Sequence, residues 1–235
     1  LSSLPSISAI SFDLDDTLWP SAHLIARAEA AGHAWFETHA PRALPHLHPN
    51  RRAMLRSRAI HSVAEDDPRR SDLRYLRERL YFLALADAGY DTALAAGAFA
   101  VFDEARQQVE PFEDAVKTLE RLSACYVLLA ITNGTADLAR IGWSKYFKLL
   151  VSPTESGAAK PDPQIYHFAC SSLGLSPGCV LHVGDDPKLD VDAARQAGLQ
   201  VAWINRLGVP WPGPGAEPTT FRDLEGLSTW LDRKP

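Results

Sequence analysis

Five apolar runs of strand length, separated by helical patterns, constrain this chain more than any other feature of its 235 residues. They cover residues 7–14, 126–131, 149–152, 180–183 and 201–204. Polar groups follow the first four: Asp13-Leu14-Asp15-Asp16-Thr17, Thr132-Asn133-Gly134-Thr135, Lys160-Pro161 and Gly184-Asp185-Asp186. The fifth leads into Asn205-Arg206. Helical spacing returns at 112–124, after Thr135, at 163–173 and at 188–197, so the pattern predicts an α/β fold with a parallel sheet. Open sheets of this kind bind ligands beyond the carboxyl ends of their strands. The polar groups lie where such a fold would use them.

Residues 19–108 read differently. They contain no strand-like run and four helical segments, at 21–38, 50–64, 72–88 and 91–108. In the third, Leu73, Leu76, Leu80, Leu83 and Ala84 follow helical spacing and Gly89 closes it. The chain must leave the first strand and return to the sheet through this insert. We therefore expect a core of residues 1–18 and 109–235, with a helical domain of residues 19–108 over its edge. The Pro/Gly-rich stretch from Gly208 to Gly215 reads as a surface connection.

Composition narrows the function. Twenty-four basic and 29 acidic residues give a net charge of -5, so the molecule is not a polyelectrolyte built for nucleic acid or an anionic membrane. Any anion must be bound locally. Cys125, Cys170 and Cys179 form neither an even framework nor a metal-ligand spacing, which points to a reducing, cytoplasmic setting. No apolar run approaches the roughly 18 residues of a membrane span, and the first ten residues lack the marks of a secretory leader. The sequence does not specify an oligomeric state.

Asp13 and Asp15 alternate at the end of an extended run and so address one pocket, where their repulsion calls for a cation or a shared proton. By themselves, Asp16 and Thr17 equally begin a turn or cap a helix. The second acidic cluster adds weight. Asp186 before Pro187 is explained as a helix N-cap, but Asp185 is not, and Asp186 and Asp190 form a like-charge pair four residues apart. Oxygen ligands at two strand ends, with no His or Cys in these motifs, suit Mg²⁺. The Thr132-Asn133-Gly134-Thr135 turn leads from strand to helix, and its amides and hydroxyl suit a phosphate oxygen. Lys160, held extended before Pro161, adds a positive charge. Together these groups indicate phosphate chemistry.

Phe12-Asp13-Leu14-Asp15-Asp16-Thr17-Leu18, Ile131-Thr132-Asn133-Gly134, Lys160-Pro161-Asp162-Pro163 and Gly184-Asp185-Asp186-Pro187-Lys188-Leu189-Asp190 resemble, in order, the four motifs of the haloacid dehalogenase-like (HAD) hydrolases. The resemblance implies a Rossmann-like core with an inserted α-helical cap of the C1 type. It also implies a Mg²⁺-dependent phosphomonoester hydrolase acting on a small phosphorylated metabolite. Asp13 would be the nucleophile that becomes an aspartyl phosphate, and Asp15 the general acid and base. Thr132 and Asn133 would hold phosphoryl oxygens with Lys160, which would also neutralise charge in catalysis. The metal would be held by Asp13, the Asp15 carbonyl and Asp185, with Asp186 or Asp190 behind them.

Within the family, haloacid dehalogenases lack the second carboxylate of the first motif, since a halide departs without a proton; Asp15 therefore favours phosphoesters. Phosphonate-cleaving relatives form a Schiff base with a cap lysine, and residues 19–110 contain twelve Arg and no Lys. A phosphomutase shares all four motifs, and a receiver-like phospho-binding module also combines Asp, Thr and Lys. Leu181-His182-Val183-Gly184-Asp185-Asp186 and Gly198-Leu199-Gln200-Val201-Ala202-Trp203-Ile204 are similar to bacterial phosphatases acting on flavin mononucleotide and on the phosphorylated aminouracil of riboflavin synthesis. The nine Arg between Arg51 and Arg79 face five acids, which reads either as steering of an anion or as a salt-bridged helix face. Trp19 reads as hinge packing or as a stacking platform, and Trp203 as core.

Overall fold

The computed structural model describes residues 6–233. Residues 1–5, which begin the first core segment and the stretch read for a leader, lie outside the described residues, as do residues 234–235 at the close of the second segment. The chain divides into two compact units. One comprises Leu1–Pro20, Glu110–Gly134 and Leu138–Pro235; the other comprises Ser21–Val109 with Thr135–Asp137. The divisions fall after residues 20 and 109, where the sequence had suggested 18 and 108.

The first unit is built on a six-stranded parallel sheet. Its strands are β1 (Ala9–Phe12), β2 (Val127–Ile131), β3 (Leu149–Val151), β4 (Val180–Gly184), β5 (Gln200–Ile204) and β6 (Thr219–Phe221). Their order is β3-β2-β1-β4-β5-β6, the doubly wound Rossmann arrangement. All residues of β1 and β4 are buried, which explains why these strands read as continuous apolar runs. The sheet changes direction between β1 and β4, where this topology opens a crevice. Phe12 lies opposite Ala130 of β2 and Val183 of β4, so the chain leaves three central strands at one level. The residues that follow, including Asp13, Thr132 and Asp185, therefore emerge together.

Two local features depart from the sequence expectation, and a third lay outside it. β6 was not foreseen, because Thr219-Thr220-Phe221 has no apolar run; its place comes from pairing with β5. The helix expected over 188–197 opens as a π-helix, Pro187–Asp192, before becoming α-helical at Ala193–Gln196. Asp186 caps it as expected, accepting from the Lys188 and Leu189 amides at 2.8 and 2.7 Å. The Lys160–Pro161 peptide bond is cis.

The helical unit contains the four expected segments as Ser21–His39, Pro49–His61, Leu73–Asp87 and Leu94–Arg106, with a short helix at Leu44–Leu47. Asp72 caps the third by accepting from the amides of Arg74 and Tyr75, and Gly89 follows it in the left-handed conformation at φ 72°. Leu76, Leu80 and Ala84 of the predicted stripe are buried, whereas Leu73 on the first turn is exposed. Among the described residues, ion pairs join Arg52 and Arg77 to Glu29, Arg58 to Asp87, Arg69 to Asp67 and Arg74 to Asp103. Glu29, Asp87 and Asp103 lie outside the 51–79 window, so the local count overstated the excess charge. Gln107 ties Thr135–Asp137 to this unit, donating to the Thr135 carbonyl at 3.1 Å and accepting from the Asp137 amide at 2.8 Å. No helix among the described residues is long and apolar enough to cross a membrane.

Candidate active site

All eight residues singled out for chemistry line one recess of about 180 Å³: Asp13, Asp15, Thr132, Asn133, Lys160, Asp185, Asp186 and Asp190. Larger clefts exist, of about 460 and 640 Å³ in the helical unit and 580 Å³ beside the Pro/Gly loop. None gathers a comparable set of carboxylates and an ammonium, so chemistry rather than volume identifies the site.

Lys160 is 5% exposed, and its ammonium lies 2.5 Å from Asp13 Oδ1 and 2.6 Å from Asp190 Oδ1. Burial, the largest influence on Lys160, favours its neutral form, but Asp13 and Asp190 outweigh it and hold the ammonium well above its ordinary range. Its backbone is gripped by Asn133, whose carboxamide donates to the Lys160 carbonyl and accepts from the Lys160 amide, both at 2.8 Å. The Asn133 side chain therefore positions Lys160. The Thr132 hydroxyl accepts from the Gly134 amide at 2.8 Å, which closes the turn after β2.

Of the like-charge pair Asp186 and Asp190, the second is met by the Lys160 ammonium. Asp186 is engaged as a cap, while Asp190, buried, accepts from Lys160, from the Asp186 amide at 3.0 Å and lies 3.3 Å from His182 Nε2. Burial raises Asp190, but Lys160 and then His182 prevail and hold it below the usual carboxylate range. Asp13 shows the reverse balance. Burial pushes it well up, and Asp190 and Asp185 add to that against Lys160. Asp185 is pushed up to about 7 by burial and then by Asp190 and Asp16.

Carboxylate oxygens of Asp13, Asp185 and Asp190 lie within 4.8 Å of one another. Three acids meet one ammonium here, and the carboxylate neighbours add to the burial that raises Asp13 and Asp185. A hard divalent cation fits this oxygen donor set better than a softer metal. Asp190, expected beside the ion, has a carboxylate oxygen within this trio. Asp15 is outside this trio, and its carboxylate accepts from the Trp19 indole at 2.8 Å.

Several supporting residues carried weaker sequence signals. Ser11 and His182 face each other across β1 and β4, and Ser11 Oγ lies 2.9 Å from His182 Nδ1. Two polar residues inside buried apolar runs were the only clue. Tyr166 donates to the Leu189 carbonyl at 2.7 Å and packs edge-on against His182. Burial lowers His182 against the opposing pull of Asp190, and its Nε2 lies 3.3 Å from Asp190 Oδ1 and 3.4 Å from the Tyr166 hydroxyl. Trp203, read as core, is buried and also donates to the Asp185 carbonyl at 2.7 Å. Thr17 donates to the Asp185 carboxylate at 3.1 Å.

Residues 7–198 match the haloacid dehalogenase-like hydrolase family. A curated relative, 5-amino-6-(5-phospho-D-ribitylamino)uracil phosphatase YigB of Escherichia coli K12, is 34% identical over 206 residues, covering 86% of this chain and 84% of the relative. Glyceraldehyde 3-phosphate phosphatase of Methanopyrus kandleri is 29% identical, over 85% and 84% of the two chains. Among solved structures, one described as a 2-haloacid dehalogenase from Pseudomonas syringae pv. Tomato DC3000 is 36% identical with a TM-score of 0.89, covering 97% of this chain and 99% of the other. Sequence match and shared architecture thus agree with a sheet whose carboxyl ends gather the acidic groups around one lysine, and the chain belongs to the haloacid dehalogenase-like hydrolases.

Proposed function

We propose that this protein is a Mg²⁺-dependent phosphomonoesterase that cleaves a small phosphorylated metabolite through an aspartyl-phosphate intermediate. The observation that carries the proposal is the shared recess of Asp13, Asp15 and Lys160, with Lys160 2.5 Å from Asp13. Two carboxylates in one pocket divide into nucleophile and proton carrier only when their surroundings differ. Here Asp13 is buried against an ammonium, and Asp15 is held by an indole on a half-buried loop.

In this reading Asp13 attacks phosphorus, and the bond to the leaving oxygen breaks as that oxygen takes a proton from Asp15. Asp15 then removes a proton from water, which attacks the aspartyl phosphate and restores Asp13. Thr132 and the Asn133 backbone amide orient the phosphoryl oxygens, while Lys160 lowers the repulsion between Asp13 and an anionic substrate. Asp13, Asp185 and the Asp15 carbonyl would hold Mg²⁺, with Asp190 fixing Lys160 and bordering the ion. The metal supplies charge neutralisation at the transferring group when bound. The helical unit acts as the cap that selects the leaving group and excludes water. We place the enzyme in the cytoplasm, in keeping with its three free cysteines.

The relative described as a haloacid dehalogenase raises the competing reaction, carbon–halogen cleavage. Asp15 disfavours it, because halide departure needs no proton donor. A panel containing flavin mononucleotide, the phosphorylated aminouracil, triose and sugar phosphates and 2-haloacids tests both. The proposal expects phosphate release that requires Mg²⁺ and stops on chelation, with no halide release. Halide release without phosphate release would refute it.

A further inference from the structure

We propose that Trp19 is a positioning residue that holds the Asp15 carboxylate in the orientation needed to protonate the leaving group. The inference rests on the assignment of Asp15 as proton donor and extends it to a side chain that the sequence assigned to packing or stacking.

Trp19 is fully buried, which removes it as an exposed platform for a planar ligand. A buried indole N–H needs an acceptor, and here it takes Asp15 Oδ1 at 2.8 Å. The main chain is closed at the same place. The Asp16 amide donates to the Trp19 carbonyl at 2.7 Å, and Asp15 and Trp19 form an isolated parallel bridge. Asp16 makes the reversal possible by adopting φ 62°, a left-handed conformation that Asp tolerates better than most residues. On its other side the Trp19 ring packs edge-on against Trp143, with centroids 5.4 Å apart at 62°. The indole is thus fixed by backbone, by packing and by its polar edge.

This arrangement leaves Asp15 little rotational freedom. It can be held to one plane because its anchor is itself immobile, which is how a scaffold sets a reacting group within the tolerance of proton transfer. Neither Trp19 nor Trp143 needs to touch substrate for this. In the step served, the Asp13 oxygen–phosphorus bond forms, the leaving oxygen–phosphorus bond breaks, and the departing alkoxide takes the Asp15 proton.

The test compares kcat/KM for two monoesters, an alkyl phosphate whose leaving group needs a proton and p-nitrophenyl phosphate, whose leaving group departs as a stable anion. kcat/KM reports only steps up to departure, so later hydrolysis of the phosphoenzyme does not blur the comparison. Trp19→Phe keeps an aromatic ring against Trp143 and removes the N–H. Benzothienylalanine incorporated at position 19 keeps the bicyclic shape without the N–H, and carries the test if the Phe variant folds poorly. The proposal expects a fall of roughly 10- to 100-fold for the alkyl ester and less than about threefold for the nitrophenyl ester. Equal losses on both esters would mean a purely structural role and would overturn it, as would no loss on either. Asp15→Asn serves as the reference. If it shows the leaving-group dependence and the Trp19 variants do not, only the Trp19 proposal falls. If Asp15→Asn shows none, the proton-donor assignment falls and takes this proposal with it.

Discussion

A single methyl group at Gly184 should dismantle the ion cluster from behind. Gly184 ends β4, is buried and does not occupy the left-handed region, so alanine meets no backbone objection there. Its Cβ, however, would lie 2.3 Å from Asp190 Cγ and 2.4 Å from Asp190 Oδ2. Carbon atoms in contact sit about 3.5 Å apart or more, so the Asp190 side chain must retreat by about 1.2 Å. That carboxylate now receives Lys160 at 2.6 Å and the Asp186 amide at 3.0 Å, and a shift of this size takes at least one of them out of hydrogen-bonding range. Overpacking alone costs about 1–3 kcal/mol, and disrupting a buried ion pair about 3–5 kcal/mol. Because Lys160 retains Asp13, we expect a loss of about 2–4 kcal/mol. At about 2–4 °C per kcal/mol, the thermal midpoint should fall by roughly 4–16 °C. Displacing Lys160 by an ångström should also cost about 100-fold in kcat/KM. Scanning calorimetry and a Mg²⁺-dependent phosphate-release assay measure the two. A Gly184→Ala protein with an unchanged midpoint and full activity would show that the packing behind Asp190 does not hold the cluster.

Further consequences are open to measurement. Removing the indole donor to the Asp185 carbonyl with Trp203→Phe should raise the Mg²⁺ concentration for half-maximal activity several-fold; an unchanged requirement would count against that support. Mg²⁺ at about 100 times its dissociation constant should stabilise the protein by about 2.7 kcal/mol, seen as a rise in thermal midpoint that Asp185→Asn abolishes. Cys170 is buried and its thiol is pushed up to about 11 from an ordinary 9.0, whereas Cys125 is exposed. Iodoacetamide at pH 8 should therefore label Cys125 and spare Cys170 until the chain unfolds. Because the folded state keeps the Cys170 proton that the unfolded state releases between pH 9 and 11, this thiol's contribution to stability is complete below pH 9 and is lost as pH rises through that window. Rapid labelling of Cys170 in the folded protein would contradict its burial.

The parts of the molecule legible in the sequence are those fixed by local pattern. β1 and β4 are buried at every residue and β2 and β5 over their last residues, so all four announced themselves as apolar runs, and Asp13, Asp15 and Asp185 were visible because they lie at or just past the ends of such runs. β6 was invisible because three residues with two threonines have no pattern of their own and acquire strand geometry only beside β5. The Trp19–Asp15 bond depends on the left-handed turn at Asp16, a backbone choice that residue spacing does not encode. The second role of Asn133 was equally hidden: beside the backbone amide read for phosphate, its carboxamide clamps the Lys160 backbone 27 residues away. Likewise, the arginine cluster looked unbalanced because Glu29, Asp87 and Asp103 reach it from other helices. Long-range pairing of this kind decides which charges are compensated, and a linear count misses it.

The central claim is that Asp13 accepts the phosphoryl group. In Asp15→Asn, with the base for the second step removed, rapid quenching in acid after mixing with p-nitrophenyl phosphate, whose leaving group needs no proton, and Mg²⁺ should trap phosphate on the protein, and peptide mass spectrometry should locate it on Asp13. The label should be released by hydroxylamine and be absent from Asp13→Asn. Phosphate found on another residue, or steady turnover by Asp13→Asn, would contradict the account.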